Sequence, residues 1–422
     1  MSDAERLPAF FRVRQTFPRP QLTSIAEVVQ QQLNDVCTDD LRGRSVAVTV
    51  GSRGIANIAV ITKACIDYLI RRGASPFIVP AMGSHGGATD EGQAGVLAGY
   101  GIHEASMGCP IRSSMQVEQI ALAEEGFPVY FDRHALAADC VLVVNRIKPH
   151  TRFVGEIESG LMKMMLIGLG KQRGAEVYHR AIVNYSFDQI VRSVAKSVIQ
   201  RCHILAGLAI LENGFEETAQ ITAVAAADIE RTEPQLLRQV KSWMPGLPFE
   251  RAALLVVDQI GKNISGSGMD TNVIGRKHSD HAATEDEFPK IQHIYVRGLT
   301  EATHGNASGV GLAELCHRRV VDTIDHQITR MNCITAGHVT GAMLPIDFPS
   351  DESAISTACQ LAGYMPADKV AAMWIRDTLS LHEVECSEVY FKQARSHATL
   401  EILSDPTPLE FDSRGDLVER FV

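Results

Sequence analysis

From residue 45 onward, short runs of consecutive apolar residues alternate with longer stretches whose apolar positions recur at helical spacing. SVAVTV (Ser45–Val50), SPFIVP (Ser75–Pro80) and CVLVVN (Cys140–Asn145) predict buried strands, because a strand covered on both faces needs no polar alternation. Between the first two, IAVITKACIDYLIRRG after Asn57 predicts a helix. Such strand–helix alternation is the pattern of an α/β fold with a largely parallel sheet and crossover helices. Each of the three strands ends in a loop rich in Gly or Pro: GSRG, AMGSHGGAT and RIKPH. Ligands of open parallel sheets gather at the carboxyl ends of strands, so these loops are expected to be neighbours.

Further along, a helical region spans about Ser159–Arg201, followed by alternating segments at His203–Leu211 and Gln220–Ala226 and a charged helix near Ile229–Trp243. The string MPGLPFE at 244–250 interrupts both periods, which places a domain junction near residue 248 and divides the chain into 1–248 and 249–422, both expected to be α/β. In the second half, Ala252–Val257, Ile291–Val296 and Val370–Ile375 read as strands, and Gly311–Ile324 and Glu352–Ala362 as helices.

Composition narrows the partners. Forty basic against fifty acidic side chains leave a net charge of −10 with no Lys/Arg run, which argues against nucleic acid or an anionic membrane as partner. The amino-terminal stretch carries charges where a secretory signal would be apolar, so a cytoplasmic location is the expectation. Nine scattered cysteines with no C-x-x-C spacing read as single buried thiols rather than disulfides or a thiolate metal site.

Three strand-end motifs carry candidate chemistry. Gly51-Ser52-Arg53-Gly54 offers backbone amides and a guanidinium fork to a phosphate or carboxylate, the alternative being an arginine solvated on a loop. Gly83-Ser84-His85-Gly86-Gly87 lets an imidazole approach a ligand closely, and Thr89 is placed to cap the helix beginning at Asp90. The third stretch, Asn145 to Arg180, holds His150, Lys163 and His179. On one continuous helix Lys163 and His179 would point roughly 160° apart; Gly168, Gly170 and Gly174 are expected to break it. Lys163 stands among Met162, Met164, Met165 and Leu166, so it is either paired, for instance with Glu156 or Glu158, or used chemically.

In order and placement these motifs resemble the nickel-dependent lactate racemases and related 2-hydroxyacid racemases and epimerases that use a nickel-pincer nucleotide. The resemblance covers roughly residues 8–215. It implies two α/β domains with the cofactor in the cleft between them, and a small 2-hydroxy acid, lactate-like or a sugar acid, as substrate. It also implies passing contact with the proteins that make the cofactor. Arg53 stands where that family's arginine contacts substrate, and His85 and His150 stand in the places of its acid/base pair. Lys163 matches the lysine that binds the pincer nucleotide covalently, with Lys171 as the alternative, and His179 keeps the spacing of the nickel ligand. Ser52, Gly86 and Glu156 are further candidate cofactor contacts.

This chain departs from the family in two places. Its loop after Pro149-His150 reads Gly155-Glu156-Ile157-Glu158-Ser159-Gly160 and reaches the lysine three residues late, and Ser52 replaces the aspartate usual before the first-loop arginine. Glu156 is open to two roles, binding a ribose or substrate hydroxyl or pairing with Lys148 or Arg152. In the second half, Lys262 in a Gly/Ser/Asn-rich loop is a candidate for the substrate carboxylate, Asn306 and Ser308 are candidate ligand contacts, and His278, Asp280, His281, His293 and His304 form a histidine-rich group whose spacing fits no helical metal pair. The competing readings are a conventional dehydrogenase, against which the absence of G-x-G-x-x-G after the first strand weighs, and a metallocofactor-binding carrier or sensor without turnover.

Overall fold

The computed structural model describes residues 6–52, 54–152, 154–277, 287–335 and 338–421. The chain divides into two compact units, one made of Pro18–His150 with Val154–Met244, the other of Met1–Phe17, Thr151–Phe153 and Pro245–Val422. The sequence reading put all of 1–248 in one domain. The first strand, β1 (Phe10–Gln15), instead joins the carboxyl-terminal unit, because it pairs antiparallel with two strands from the end of the chain.

The unit spanning 18–244 carries a five-stranded sheet. Its first strands, β2 (Ser45–Val50) and β3 (Ser75–Pro80), match the apolar runs residue for residue. A separate hairpin, β4 (Val117–Leu122) and β5 (Pro128–Asp132), precedes β6 (Cys140–Ile147), β7 (Ile204–Glu212) and β8 (Thr218–Ala225). The order is β3-β2-β6-β7-β8, parallel except for the β7–β8 pair. Helices Ile25–Val36 and Ile58–Arg71 bury Val29, Leu33, Ile61, Cys65 and Leu69 against Val46, Val48 and Val50 of β2. At roughly 1.5–3 kcal/mol per fully buried aliphatic side chain, this layer supplies much of the unit's stabilisation.

The second unit contains an eight-stranded sheet, completed by β9 (Arg251–Val257), β10 (Lys290–Val296), β11 (Leu315–His317), β12 (Ile346–Phe348), β13 (Ala372–Ile375), β14 (Glu383–Ser387) and β15 (Leu400–Ile402). The order is β12-β11-β10-β9-β13-β14-β1-β15, parallel from β12 to β13 and antiparallel beyond. Alternate residues of β9 face two different cores, Leu255 and Val257 one, Leu254 and Val256 the other, as the two-residue period requires. The helix expected over Gly311–Ile324 is in fact strand β11 followed by the short helix Arg318–Thr323, because Leu315 and Cys316 complete ladders to β10 and β12. Both units are α/β with mixed, largely parallel sheets. Among the described residues no helix is long and apolar enough to cross a membrane.

Candidate active site

The order β3-β2-β6 puts the carboxyl ends of the three motif-bearing strands side by side, and their loops pack together. A Cβ on Gly51 would meet Met164 Cε at 3.3 Å and Asn145 Oδ1 at 3.7 Å. A Cβ on Gly83, whose φ is +60°, would strike Ile167 Cγ2 at 2.9 Å. The Gly83 amide donates to the Gly168 carbonyl at 3.4 Å. Loops from β2 and β3 thus lie against the turn that follows Lys163.

That turn is the break the glycines predicted. Leu161–Lys163 is a short helix, Met164–Gly168 is a π-helical turn, and a second helix runs Lys171–Ala181, with Lys171 itself at a φ of +55°. π-Turns inside helices recur at functional sites. The Lys163 ammonium lies 5.9 Å over the ring of Phe187, which meets Tyr178 edge-on at 5.7 Å, and Tyr178 lies 5.1 Å from the imidazole of His179. Lys163 and His179 therefore flank the same aromatic pair. Lys163 is half-buried and His179 exposed.

His85 is exposed at the start of the turn Gly86–Ala88, and its Nδ1 is hydrogen-bonded to Ser52 Oγ. Ser52 thus joins the first two loops. Thr89 caps the following helix as expected, accepting from Gly92 N at 3.0 Å. Gly86 is needed locally, since at φ +66° a Cβ there would lie 2.7 Å from Gln93 N. Arg53 lies outside the described residues, but its loop is fastened on the far side. Arg146 donates to the Gly54 carbonyl at 3.1 Å and pairs with Glu212, which accepts from Ala56 N at 2.7 Å.

His150 follows β6, and its backbone N–H donates to the fully buried Glu158 Oε2 at 2.8 Å. Glu158 in turn accepts from Lys241 Nζ at 2.7 Å. Glu156 is exposed and pairs with Arg192 at 2.9 Å and Arg238 at 4.0 Å, on neighbouring helices, rather than with Lys148 or Arg152. Lys171 is wholly buried: its Nζ donates to the Pro80 carbonyl and to Gln93 Oε1 at 3.1 Å and lies 3.3 Å from Asp132 Oδ2. Burial pushes the Lys171 pKa down and that of Asp132 up, each shift opposed by the other's charge. Gln93 also donates to Gly83 O at 3.0 Å and to His85 O at 3.3 Å, so Lys171 supports the histidine loop from beneath.

Two supporting residues carried no motif. Glu233, on the helix Ile229–Trp243, accepts from Met162 N at 3.0 Å, beside Lys163, while its Oε1 has no hydrogen-bond partner. Burial raises its carboxyl to about 7. The signal was present: Glu233 falls on the buried face defined by Ile229, Leu236, Leu237 and Val240. Lys241, two turns on, had none.

In the other unit, Lys262 Nζ donates to the Gly266 carbonyl at 2.5 Å, and burial lowers its pKa. Asn306 and Ser308 are buried and bonded to each other, Ser308 Oγ donating to Asn306 Oδ1 at 2.8 Å. His278, Asp280 and His281 lie outside the described residues; His293 stands on β10 and His304 in a left-handed turn. Among the described residues one trio of metal-capable side chains, His317, Asp351 and Asp416, has ligand atoms within 4.8 Å of one another. Its donors are already engaged: His317 Nδ1 accepts from Arg319 N at 3.0 Å, its Nε2 meets Asp416 at 2.9 Å, and Asp351 takes Arg297, Arg319 and Tyr295. It is an ion-pair network.

No protein-family model matches the chain, and no curated protein matches it by sequence. Among solved structures it is similar to the lactate racemase apoprotein from Thermoanaerobacterium thermosaccharolyticum. The TM-score is 0.53, and the match covers 88% of this chain and 99% of that one at 13% sequence identity. The chain therefore shares the α/β fold of that lactate racemase apoprotein.

Proposed function

We propose that the protein is a racemase or epimerase of a 2-hydroxy acid that works with a nickel-pincer nucleotide. The observation that carries the reading is the packing of the β2 and β3 loops, joined by the Ser52–His85 hydrogen bond, against the turn that follows Lys163. The fold likeness to a lactate racemase apoprotein supports it.

The residues present fit the cofactor. An amine and an exposed imidazole, Lys163 and His179, flank one aromatic pair beside glycine-lined backbone. Lys163 is the lysine assigned to hold it, since the Lys171 amine is committed to Pro80, Gln93 and Asp132. His179 is assigned to the nickel. When bound, the cofactor supplies a hydride acceptor for C2 of the substrate.

The remaining work falls to the chain. Arg53 binds the substrate carboxylate through its guanidinium fork. Inverting a 2-hydroxy acid requires a proton to leave and return at the hydroxyl on either face, and His85 and His150 divide that task. Ser52 suits reversibility. With Nδ1–H donating to the Ser52 hydroxyl, the ring keeps this hydrogen bond both as the neutral base, Nε2 free, and as the imidazolium acid, Nε2 protonated, so one pair serves both directions. Protein from a host able to make the cofactor is expected to contain nickel and a covalent mass increment on the Lys163 peptide. Nickel content unchanged in His179→Ala, or full racemisation by either His85→Ala or His150→Ala, would overturn the corresponding assignment.

A further inference from the structure

We propose that the helix Ile229–Trp243 positions both ends of the segment joining His150 to Lys163, through Lys241 and Glu158 at one end and Glu233 at the other. The roles of His150 and Lys163 rest on the function proposed above; the restraint itself does not.

The segment closes on itself at its base, where Ser159 Oγ donates to Lys148 O at 2.8 Å and Asn145 Nδ2 to Gly160 O at 2.7 Å. At the histidine end, Glu158 Oε2 takes the His150 N–H at 2.8 Å, and Lys241 reaches Glu158 Oε1 at 2.7 Å. Glu158 is fully buried, and a buried carboxylate persists only when its charge and lone pairs are met; the ammonium and the amide each contribute to that. At the lysine end, Glu233 takes the Met162 N–H, one of the first-turn donors that a helix leaves without an internal partner. Gly160 lies against the same carboxylate, its Cβ position being 2.2 Å from Glu233 Oε1, so a side chain there would push the helix start away. Glu233 and Lys241 lie eight residues apart, about 80° around a helix axis, so one side of one helix reaches both contacts.

The middle of the segment is tied to a different helix, Phe187–Arg201, by Ile157 N to Asp188 Oδ1 at 3.2 Å and by Glu156 to Arg192 at 2.9 Å. Glu156 and Glu158 stand in the loop between His150 and Lys163, and ordering loop chain costs entropy unless contacts offset it. The two carboxylates supply such contacts. Glu158 is thus a positioning residue for His150, and Glu233 for Lys163.

The test is amide hydrogen exchange, read by mass spectrometry at residues 148–163 of the full-length apoprotein. Removing a hydrogen bond to a charged acceptor is expected to speed exchange of the affected amide about ten- to a hundredfold. Glu158→Ala accelerates the His150 amide and Glu233→Ala the Met162 amide, while peptides from β2, β3 and β7 keep wild-type protection. Glu158→Gln restores protection at His150, because its amide oxygen still accepts. If Glu158→Ala does not fold, Lys241→Met, which alters a half-exposed side chain, is expected to accelerate the same amide. Wild-type exchange at His150 in Glu158→Ala, or in Lys241→Met should it be needed, overturns the proposal, as does acceleration spread evenly over the sheet. In cofactor-loaded protein, Glu158→Ala is expected to lower kcat with KM little changed. Loss of amide protection in a protein without racemase activity would retain the restraint and remove the enzymatic reading.

Discussion

Replacing Glu233 with glutamine alters the pH dependence of stability in a direction the structure fixes. The side chain is 1% exposed, and desolvation raises its carboxyl from an ordinary value of 4.5 to about 7. Below pH 4.5 both the folded and the unfolded chain hold the proton. Between 4.5 and 7 the folded chain keeps a proton that the unfolded chain has released, so stability falls as pH rises through that window. Above 7 the whole penalty is present. Two and a half units at 1.36 kcal/mol each amount to about 3 kcal/mol. Glutamine keeps an acceptor for the Met162 N–H and does not titrate, so whatever it costs is constant with pH. Thermal unfolding of the two proteins at intervals from pH 4.5 to 8 should show Glu233→Gln gaining on wild type as pH rises. For a unit of this size the relative gain is roughly 6–12 °C in Tm. A difference that stays constant, or moves the other way, would refute the buried, raised carboxyl and weaken its role beside Lys163.

Other consequences are checked more briefly. Lys171→Met leaves Asp132 buried without its cation and should cost about 3–5 kcal/mol in urea unfolding, most of it recovered in Lys171→Met/Asp132→Asn, which keeps the Ala135 cap. Ser52→Ala removes the partner of His85 Nδ1 and should slow racemisation about tenfold with little change in KM, while Ser52→Thr restores the rate. All nine cysteines are buried, with Cys37 and Cys109 pushed up to about 11 and Cys202 and Cys316 to about 12, so a thiol reagent at pH 8 should label native protein negligibly and unfolded protein at nine sites.

Strands β2 and β3 were legible to the residue because buried parallel strands are continuous apolar runs bounded by turn residues. The neighbourhood of the three loops followed from strand order and the carboxyl-end rule alone. Gly311–Ile324 was misread because the three residues of β11 owe their state to ladders with β10 and β12, contacts that no local period encodes. The entry of β1 into the other unit escaped for the same reason, its partners lying hundreds of residues away. In the site, glycines, histidines and lysines announce themselves by type and spacing. Their supports do not: Glu158 finds Lys241 and Met162 finds Glu233 across intervals of 83 and 71 residues. The partner of Glu156 was misjudged because Arg192 comes near only once the helix Phe187–Arg201 has packed.

The central claim is tested most directly by incubating cofactor-loaded protein with single enantiomers of 2-hydroxy acids, sugar acids included, in heavy water. The account predicts interconversion of at least one substrate's two hands at C2, with the original hydrogen retained there, because a hydride leaves and returns without meeting solvent. Absence of interconversion across the panel, or deuterium entering C2 at each turnover, would contradict it.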